Sequence, residues 1–383
     1  MRQLIIFLFL LLPVVLPAQP KTIKGRIVDA SGQQGVAYTN IGIEGTFYGT
    51  ASDAGGFFEL KVPEEFFPGN LYVSAVGYQN LVLALNDLFE KEFVRIPLQV
   101  QTYQIEGVDV EARSRVLFRL IRTAARKVPE NYLAGPVGLT FYYQEEEQVN
   151  DSSLRKREAI VEVYDESGYR SPSVVDAYQH RHYRFTQVKR NFDARLSADG
   201  QTGFDELLEM DVVRLSNTIL NEGLLNDYDL KLEGMTAFEG DSVWIVSYKT
   251  GKPGLAHSGD YFARRMDGKI YILKKNDAVI RHECVIEADR NNSQNRSLFT
   301  DEREQQQVRY HFTGIYRRHD GRYMVSYLDC DKTYVNPRGE QVTRVRKAHA
   351  LEIQRQPVAL YGRDYFEDTS FAEDFWSDFK QPE

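Results

Sequence analysis

The feature that most constrains this chain is a long series of strand-like segments separated by turn signals. In QVRYHFT, Val308, Tyr310 and Phe312 alternate with Arg309 and His311, which is typical of a strand with one face on a core and one in water. The 23 tyrosines and 22 phenylalanines also suit strands, which favour aromatic residues. We therefore predict a mainly β protein, with a long antiparallel sheet in its C-terminal part.

The chain begins with an apolar leader. Arg2 precedes an apolar run over residues 4–16, and the small Ala18 closes the segment, which is the layout of a secretory signal peptide. The run is shorter than the roughly 20 residues that a membrane-spanning helix needs. We therefore predict a signal peptide over residues 1–18 and an exported protein that is periplasmic, associated with the outer membrane, or secreted. A retained N-terminal anchor helix is the alternative.

Charge and composition exclude one class of partner. The 55 acidic residues outnumber the 47 basic residues, for a net charge of −8. Nucleic-acid binding needs a basic surface that neutralises phosphates, so no nucleic-acid partner is expected. A hydrophobic content of 42% indicates packed cores rather than disorder.

Cys284 and Cys330 are the two cysteines of the chain. An exported protein meets an oxidising environment, and both residues lie in strand-like segments, so a disulfide between them is feasible. They can equally be two buried thiols. Both interpretations stay open, and the histidine pattern of a zinc site is missing around them.

Short strand-like segments fill residues 19–100, and a helix of useful length is not predicted before Ser114. KTIKGRIVD, FFELKV and LYVSAVGY are examples, and turn signals separate them, which favours a β-sandwich. The Gly-rich GTASDAGGFFEL lies between two of these strands. We predict that Asp53 bonds nearby backbone there and that Gly55 and Gly56 allow a tight corner. A phosphate-binding loop would open a helix instead.

One stretch of this region resembles a known family. GRIVDASGQQGVAYTNIGIEGTFYGTASDAGGFFELKVP, with the later SAVGYQ, is similar to the carboxypeptidase-regulatory-like domain over about residues 21–98. The resemblance implies a seven-stranded transthyretin-like sandwich that accompanies an enzyme, a receptor or a barrel and is not itself the catalyst. Tyr38, Thr39 and Asn40 depart from the small and apolar residues that are usual in that family, and Ser52 stands where Thr is commoner.

Residues 101–135 predict a linker and an amphipathic helix, with Ser114 as its cap and Pro129 shortly after its end. The apolar positions share one helical face: Leu117, Leu120, Ile121, Ala124 and Val128. Four basic positions lie opposite: Arg115, Arg119, Arg122 and Arg126. These arginines either make a peripheral contact with an anionic membrane surface or form a solvated face on a packed helix, which is the favoured interpretation.

Residues 136–383 predict an α+β domain with a long antiparallel sheet that can curve into a half-barrel. A hairpin about Asp151 would place three acids opposite three bases on an exposed ladder: Glu145, Glu146 and Glu147 opposite Arg157, Lys156 and Arg155. Further hairpin signals occur at four places: Glu239-Gly240-Asp241, Asp267-Gly268, Asp320-Gly321 and Arg338-Gly339.

One helix over residues 204–226 is predicted to cover this sheet. Its apolar positions fall on one side: Phe204, Leu207, Leu208, Val212, Leu215 and Ile219. FYYQEEE, KREAIVEVYDE, GKIYILKKNDAVIRHECVIE and EDFWSDF resemble segments of Gram-negative envelope proteins that begin with the same regulatory-like domain. This resemblance implies architecture and compartment and does not imply a mechanism.

We predict no catalytic, cofactor-binding or metal-binding residue. His349 and Glu352 match the H-x-x-E of zinc carboxypeptidases, but a catalytic zinc needs a third ligand, and in a strand positions i and i+3 face opposite ways. His180 and His182 share one strand face without further ligands. Residues 251–259 (GKPGLAHSG) lack the order of a phosphate loop and predict a long, mobile loop.

The C-terminal SFAEDFWSDF carries an aromatic stripe along a short helix: Phe371, Phe375, Trp376 and Phe379. Such a stripe docks on a partner or a membrane, or it packs on the sheet of its own domain, and the second interpretation is favoured.

The favoured function is a non-enzymatic binding or assembly module of the cell envelope, whose partner is an unknown envelope protein, glycan or lipid. The alternatives are a carrier of lipid or acyl chains on a concave sheet and an envelope hydrolase with an unrecognised site. An apolar cavity between the sheet and the 204–226 helix would favour the carrier. Clustered His, Asp and Ser would favour the hydrolase, and a filled core with an exposed aromatic patch would favour the binding module.

Overall fold

The structure, a computed structural model, describes most of the chain, and its described residues form two compact units that divide between Val100 and Gln101. The predicted signal peptide, His180 and Phe371 lie outside the described residues. The described ranges are 20–31, 34–44, 49–53, 55–75, 77–101, 110–170, 181–189, 203–208, 210–215, 218–251, 253–258, 260–290, 305–362 and 373–379.

The N-terminal unit is a sandwich of two sheets, with strand orders β4-β1-β7 and β3-β2-β5-β6. Side chains from both sheets, among them Ile23, Ile41 and Leu71, form one buried core. The predicted seven-stranded sandwich is confirmed. The strands are β1 (Lys21–Asp29), β2 (Asn40–Ile43), β3 (Gly49–Ala51), β4 (Phe57–Val62), β5 (Asn70–Ser74), β6 (Leu81–Ala84) and β7 (Val94–Leu98). Two 3-10 turns, Glu64–Phe66 and Leu85–Asp87, connect them.

The corner before β4 has the geometry that the sequence predicts. Asp53 Oδ1 accepts hydrogen bonds from the backbone N–H groups of Gly55 and Phe57, both at 2.8 Å. Gly56 has a φ of +84°, and a Cβ atom on it would lie 2.4 Å from the carbonyl oxygen of Ile27. Only glycine fits this close approach in a left-handed conformation, so the Gly-rich stretch is a structural corner.

The C-terminal unit is organised by one antiparallel sheet in the order β10-β9-β8-β17-β16-β15-β14-β13-β12-β11. Its ten strands are β8 (Val137–Val149), β9 (Ser152–Asp165), β10 (Arg181–Val188), β11 (Asp229–Phe238), β12 (Asp241–Thr250), β13 (Ala263–Leu273), β14 (Val279–Arg290), β15 (Gln306–His319), β16 (Arg322–Val335) and β17 (Gln341–Gln354). Within the described ranges the two end strands do not pair with each other, so the sheet is open.

Short helices accompany the sheet, and the predicted α+β class is confirmed. They are α1 (Val110–Arg126), α2 (Val128–Asn131), α3 (Gly203–Leu208), α4 (Val212–Leu215), α5 (Leu255–Ser258) and α6 (Glu373–Asp378), with 3-10 turns at Thr218–Leu220 and Leu225–Asp227. Directly paired strand residues share a sheet face. We call the face that carries Tyr143 the helix face, because the ring of Phe204 in α3 lies 5.3 Å from that of Tyr143. The opposite face is the outer face.

The start of α1 differs from the prediction. The helix begins at Val110, so Ser114 lies inside it rather than at its cap. Pro129 falls in the first turn of α2, where the missing proline N–H costs nothing because first-turn N–H groups have no helical partner. The predicted apolar face is confirmed, since Leu117, Ile121 and Ala124 are buried.

The predicted helix over residues 204–226 is wrong, because the segment breaks into α3, α4 and two 3-10 turns. Asp211 stops the first part, since its carboxylate accepts the N–H of Arg214 at 3.2 Å and so begins α4. Thr218, the first residue of a 3-10 turn, has a φ of +52°, in the left-handed region, which a continuous right-handed α-helix excludes. The predicted apolar residues are still used, and Phe204, Leu207 and Ile219 are fully buried.

The hairpin about Asp151 is confirmed with the predicted pairs, Glu145 with Arg157 and Glu146 with Lys156 among them. The prediction that this ladder is exposed is wrong for Glu145. The side chains of Glu145 and Arg346 are 13% and 2% exposed, and Arg346 Nε lies 3.4 Å from Glu145 Oε1. Glu145 and Arg346 lie on the helix face, because side chains alternate along a strand and Glu145 is two residues from Tyr143.

The hairpin turn predicted at Asp267-Gly268 is also wrong, because both residues lie within β13. Gly268 pairs with Tyr248 on one side and with Cys284 on the other. A Cβ atom on Gly268 would lie 2.5 Å from the Tyr248 hydroxyl oxygen, so the ring of Tyr248 crosses over this residue. The glycine therefore makes room for an aromatic ring inside a sheet.

The two cysteines do not form a disulfide, and both are buried thiols. Cys284 pairs with Phe312, and Phe312 pairs with Cys330, so one strand separates the two residues. Two interstrand spacings amount to roughly 10 Å, whereas the Cα atoms of a disulfide lie about 4.4–6.8 Å apart.

A buried ionic network attaches the helices to the sheet. Arg214 of α4 donates to both carboxylate oxygens of Asp165 at the end of β9, at 2.6 and 3.0 Å. Arg181 of β10 donates to Asp165 at 3.0 Å and to Asp211 at 3.2 Å. Burial alone would raise the pKa of Asp165, but the charges and hydrogen bonds of Arg181 and Arg214 outweigh burial and hold it below its ordinary value.

Tyrosines complete this network. The hydroxyl groups of Tyr169 and Tyr316 donate to the Asp211 carboxylate at 2.7 and 2.9 Å. Two buried acids thus face two buried arginines with every carboxylate oxygen bonded. The arrangement is charge-balanced, and its direct effect is to hold the segment before α4 on the helix face.

Replacing Arg214 by Met is expected to lower the free energy of unfolding by about 3–5 kcal/mol, because it leaves a buried carboxylate short of a partner. Urea unfolding measures this loss. Arg184→Met is the matched control, since Arg184 pairs with Glu162 on an exposed part of β10, and a loss of less than about 1 kcal/mol is expected there. Equal losses in the two variants would contradict the role given to the network.

Thiol titration of the denatured protein, without reductant, is expected to find both cysteines reactive. The strand between Cys284 and Cys330 keeps them too far apart to pair. Alkylation before denaturation should label neither residue, because both thiols are buried. A protein with no titratable thiol after denaturation would show that the register around Phe312 is wrong.

Candidate functional site

A groove of about 880 Å³ crosses one end of the ten-stranded sheet, over β11 to β14 and up to His311 of β15. On the outer face its residues form a continuous cross-strand row: Asp229, Lys249, Asp267, Val285 and His311. A second row, from β11 to β14, lies beside the first: Lys231, Ser247, Lys269 and Glu283. Both rows line the groove.

The groove follows from where short side chains fall. Ser247 pairs with Lys231 on one side and Lys269 on the other. Val285 lies between Asp267 and His311 in the same way. Because the short side chains of Ser247 and Val285 lie between longer ones, they and the main chain form the floor of the groove. The longer charged side chains on either side form its walls.

Two of the three acids that line the groove, Asp267 and Glu283, are closely paired with bases of this chain. Asp267 accepts from Arg265 at 2.7 Å. Glu283 accepts a hydrogen bond from the Tyr271 hydroxyl at 3.2 Å, and its Oε1 lies 2.6 Å from Arg281 Nε, an ion-pair distance. Their charges are therefore largely compensated locally.

Glu233, in the bulge between Leu232 and Gly234, lies beside the groove and is bonded in the same way. The Ser247 hydroxyl donates to its Oε1 at 2.7 Å, and Lys231 Nζ lies 3.0 and 3.1 Å from its two oxygens. The hydrogen bond from Ser247 and the contact with Lys231 lower the pKa of Glu233, and the charge of Lys269 contributes.

Two lysines of the groove are less engaged. Lys249 is 71% exposed and reaches Asp229 at 4.0 Å, the limit of an ion pair. Lys269 is exposed and makes no ion pair with the described residues. The groove therefore presents two weakly engaged lysines, while Asp229, 81% exposed, is the groove acid without a close base among the described residues.

The helix face behind the groove holds a buried polar cluster. The Tyr248 hydroxyl bonds His282 Nε2 at 2.7 Å, and the two rings stack with centroids 5.9 Å apart. Burial lowers the pKa of His282 to about 3. A neutral, enclosed imidazole of this kind is part of the core and is poorly suited to proton transfer near neutral pH.

His349 has a similar environment. It lies in β17, as the strand prediction requires, and its ring centroid is 4.6 Å from that of Tyr327. Burial, with the charges of Lys347 and Arg317, lowers its pKa to about 3. Glu352 is exposed, and a bulge between Ala350 and Glu352 separates the two residues. Within the described ranges, no group of three or more His, Cys, Asp or Glu side chains could hold a metal ion.

The remaining sequence candidates lie apart from the groove or at its end. His182 Nδ1 accepts the N–H of Gly362 at 3.1 Å. Residues 251–259 were predicted as a long loop, but they contain α5, and His257 Nε2 lies 3.0 Å from Asp227. That contact and the buried Ser258 attach the segment to the fold.

The four arginines on α1 have two different environments. Arg126 forms a bidentate pair with Glu222 at 2.7 and 2.8 Å, and Arg122 lies 3.7 Å from the same carboxylate. Arg115 and Arg119 are exposed. The packed-helix interpretation accounts for the first pair, and the membrane contact remains a prediction.

The C-terminal aromatic residues that the structure describes pack on their own domain. Phe379, one residue beyond α6, has its ring centroid 5.2 Å from that of Tyr142 in β8. Lys189 Nζ lies 5.7 Å from the ring centroid of Trp376. This agrees with the predicted packing of the stripe on the sheet.

A family model matches the N-terminal part of the chain. It is the model of the CarboxypepD_reg-like domain, over residues 23–110. The N-terminal sandwich is therefore a carboxypeptidase-regulatory-like domain, as its motifs predicted. No curated protein matches the chain, and no described helix is both long and apolar enough to span a membrane.

Solved structures give remote similarities. A LolA superfamily protein, NE2245 from Nitrosomonas europaea, is 7% identical, with a TM-score of 0.25 over 63% of this chain and 94% of that one. A lipovitellin structure, titled for its lipid–protein interactions, is 9% identical with a TM-score of 0.24, and the match covers 64% of this chain and 28% of that one. A mutant porin of Rh. blastica is 9% identical, with a TM-score of 0.15 over 56% of this chain and 100% of that one. TM-scores this low support no conclusion about fold or function.

Sequence reasoning missed the groove. Its lysines lie on three strands, Lys231, Lys249 and Lys269, and the strand register alone brings them together. The alternation of polar and apolar residues in GKIYILKK indicated a strand that contains Lys269. The turn predicted at Asp267-Gly268, however, placed Asp267 outside that strand, so the continuous row of groove residues could not be predicted.

The two buried histidines are expected to make stability fall with acidity. Their folded pKa values near 3 lie below the ordinary value of about 6.5, so the unfolded chain takes up protons first. Their contribution is complete above about pH 6.5 and is lost as the pH falls towards 3, by up to about 1.4 kcal/mol per pH unit for each imidazole.

Urea unfolding between pH 7 and pH 5 (about the range in which free imidazole titrates) measures this slope. His282→Asn and His349→Asn are each expected to flatten it. Val82→Ala, at an exposed position of the other unit, should leave it unchanged. A slope that survives both histidine replacements would show that other groups cause it.

Proposed function

We propose that the chain is a non-enzymatic binding module of the cell envelope, exported by its leader, and that the β11–β14 groove is its binding surface. The observation that carries this proposal is the groove itself, which has a floor of Ser247 and Val285 and walls of charged side chains. Such a surface can seat a segment of another macromolecule. The regulatory-like domain supports the same role, because the family resemblance implies an accompanying module.

The packing of the helix face favours a binding module over the lipid carrier. Phe204 of α3 fills the space between helix and sheet, with ring centroids 5.3 Å from Tyr143, 5.3 Å from Tyr183 and 5.9 Å from Phe141. An acyl chain would have to displace these rings. Fully buried aromatic rings contribute strongly to a core, so this displacement is costly.

The contacts of the histidines favour a binding module over a hydrolase. His282 and His349 are buried with pKa values near 3. Ser258 is next to His257, but its hydroxyl donates to the Gly254 carbonyl at 3.0 Å and accepts the N–H of Asp260 at 3.1 Å. This hydroxyl therefore closes α5 and is not bonded to an imidazole as an activated nucleophile would be.

Filling the groove tests the proposal. The full chain, its Ser247→Trp variant and a Ser242→Trp control would be crosslinked in envelope preparations and recovered, with mass spectrometry of the attached proteins and lipids. Ser242 lies on the same strand, β12, but outside the groove. We expect a protein set captured by the parent and the control to be lost from Ser247→Trp, because the indole occupies the floor.

Two results would contradict the proposal. Recovery of acyl chains without a protein partner would indicate the carrier. Identical protein sets from the parent and Ser247→Trp would show that binding occurs elsewhere on the chain.

A further inference from the structure

We infer that the groove recognises an extended acidic segment of a protein, with carboxylates at alternate positions, and that Lys249 and Lys269 bind those carboxylates. This inference rests on the proposed function, because it names the class of partner for the same groove. It depends on the charges, the spacing and the floor of the groove.

The charges favour an anionic partner. Asp267 accepts a hydrogen bond from Arg265 at 2.7 Å, and Glu283 lies 2.6 Å from Arg281 in an ion pair. Lys249 is mostly exposed, with its one ion pair at 4.0 Å, and Lys269 forms no ion pair among the described residues. A partner that brings carboxylates gains a pair with each of the two lysines, whereas a basic partner finds one acid, Asp229, without a close base.

Glu233 shows how this surface binds a carboxylate. Its oxygens accept from the Ser247 hydroxyl at 2.7 Å and from Lys231 at 3.0 Å. Ser247 lies directly between Lys231 and Lys269 in the register. The chain thus already holds one carboxylate of its own between a hydroxyl and an ammonium group, beside the two lysines that remain.

The spacing of the lysines matches a strand. Lys249 pairs with Asp267, and Lys269 pairs with Ser247, so the two lysines are diagonal neighbours on β12 and β13. Diagonal positions in an antiparallel pair are about 7–8 Å apart. In an extended peptide, residues i and i+2 lie on one face about 6.6 Å apart, while i and i+1 face opposite ways. Alternate carboxylates therefore reach both lysines, and adjacent ones do not.

The floor and walls favour a peptide over a lipid. The groove crosses four strands, about 14 Å, which is the length of roughly four extended residues. Lipid and drug-like sites are lined mainly by apolar and aromatic side chains. Here the side chains on the outer face are mostly charged, while the apolar lining residues Leu230, Met266 and Tyr248 belong to the helix face by their register.

The test measures binding of short fluorescent peptides to the full chain by fluorescence anisotropy. One peptide carries two glutamates separated by one residue, a second carries them adjacent, and a third carries lysines at the alternate positions. Anionic phosphatidylglycerol vesicles and inorganic phosphate serve as competitors. We expect the alternating peptide to bind most tightly, the lysine peptide not to bind, and added salt to weaken binding.

Substitutions of the two lysines test whether they bind the carboxylates of the peptide. Lys249→Gln and Lys269→Gln are each expected to weaken binding by about two- to five-fold, the effect of one exposed ion pair. Lys249→Arg and Lys269→Arg should retain binding, because the charge is kept. Lys275→Gln is the matched control, since Lys275 is an exposed lysine outside the groove, 3.7 Å from Asp241, and it should bind as the parent does.

Three results would overturn the inference: equal affinity for the adjacent and alternating peptides, equal losses in Lys275→Gln and Lys269→Gln, or competition by the vesicles or phosphate at the same lysines. Circular dichroism of each variant separates these results from misfolding. If Ser247→Trp loses its protein partner while the parent ignores every acidic peptide, this inference fails and the proposed function stands.

Discussion

The interaction on which the ten-stranded unit most depends is the pair of buried carboxylates held by two arginines. Asp165 ends β9, Arg181 begins β10 and Arg214 belongs to α4, so one network joins the sheet to the segment that covers it. Because Asp211 also accepts two tyrosine hydroxyls, the short helices are fixed by polar contacts as well as by apolar packing. Buried ions must be matched this completely, since an unpaired one is far costlier than a lost apolar contact.

This fixed helix face leaves the outer face available for binding. The same four strands carry Tyr248 and His282 on one side and the charged groove on the other. Gly268 connects the two, because its missing side chain accommodates the Tyr248 ring within an unbroken strand. Continuous strands keep Lys249 and Lys269 in register, so packing on one face sets the charge spacing on the other.

Local signals predicted much of the fold. The family motifs predicted the sandwich and the Asp53 corner, and complementary charges with a turn at Asp151 predicted the pairing of Glu145 with Arg157. Failures came where a residue serves a distant partner. Gly268 was interpreted as part of a turn because Tyr248, with which it pairs, lies 20 positions away in the sequence. Asp211 interrupts the predicted helix, and its contacts with Arg181 and Tyr316 come from other strands. The groove needed the register of four strands, which no local pattern supplies.

The row Cys284–Phe312–Cys330 has a consequence for how the protein matures. With a phenylalanine strand between the two sulfurs, the native fold contains no covalent cross-link that an oxidant must make or an isomerase must correct. The covalent chain is then the same in a reducing compartment as in an oxidising one, so the ten-stranded unit can reach its native state in either environment.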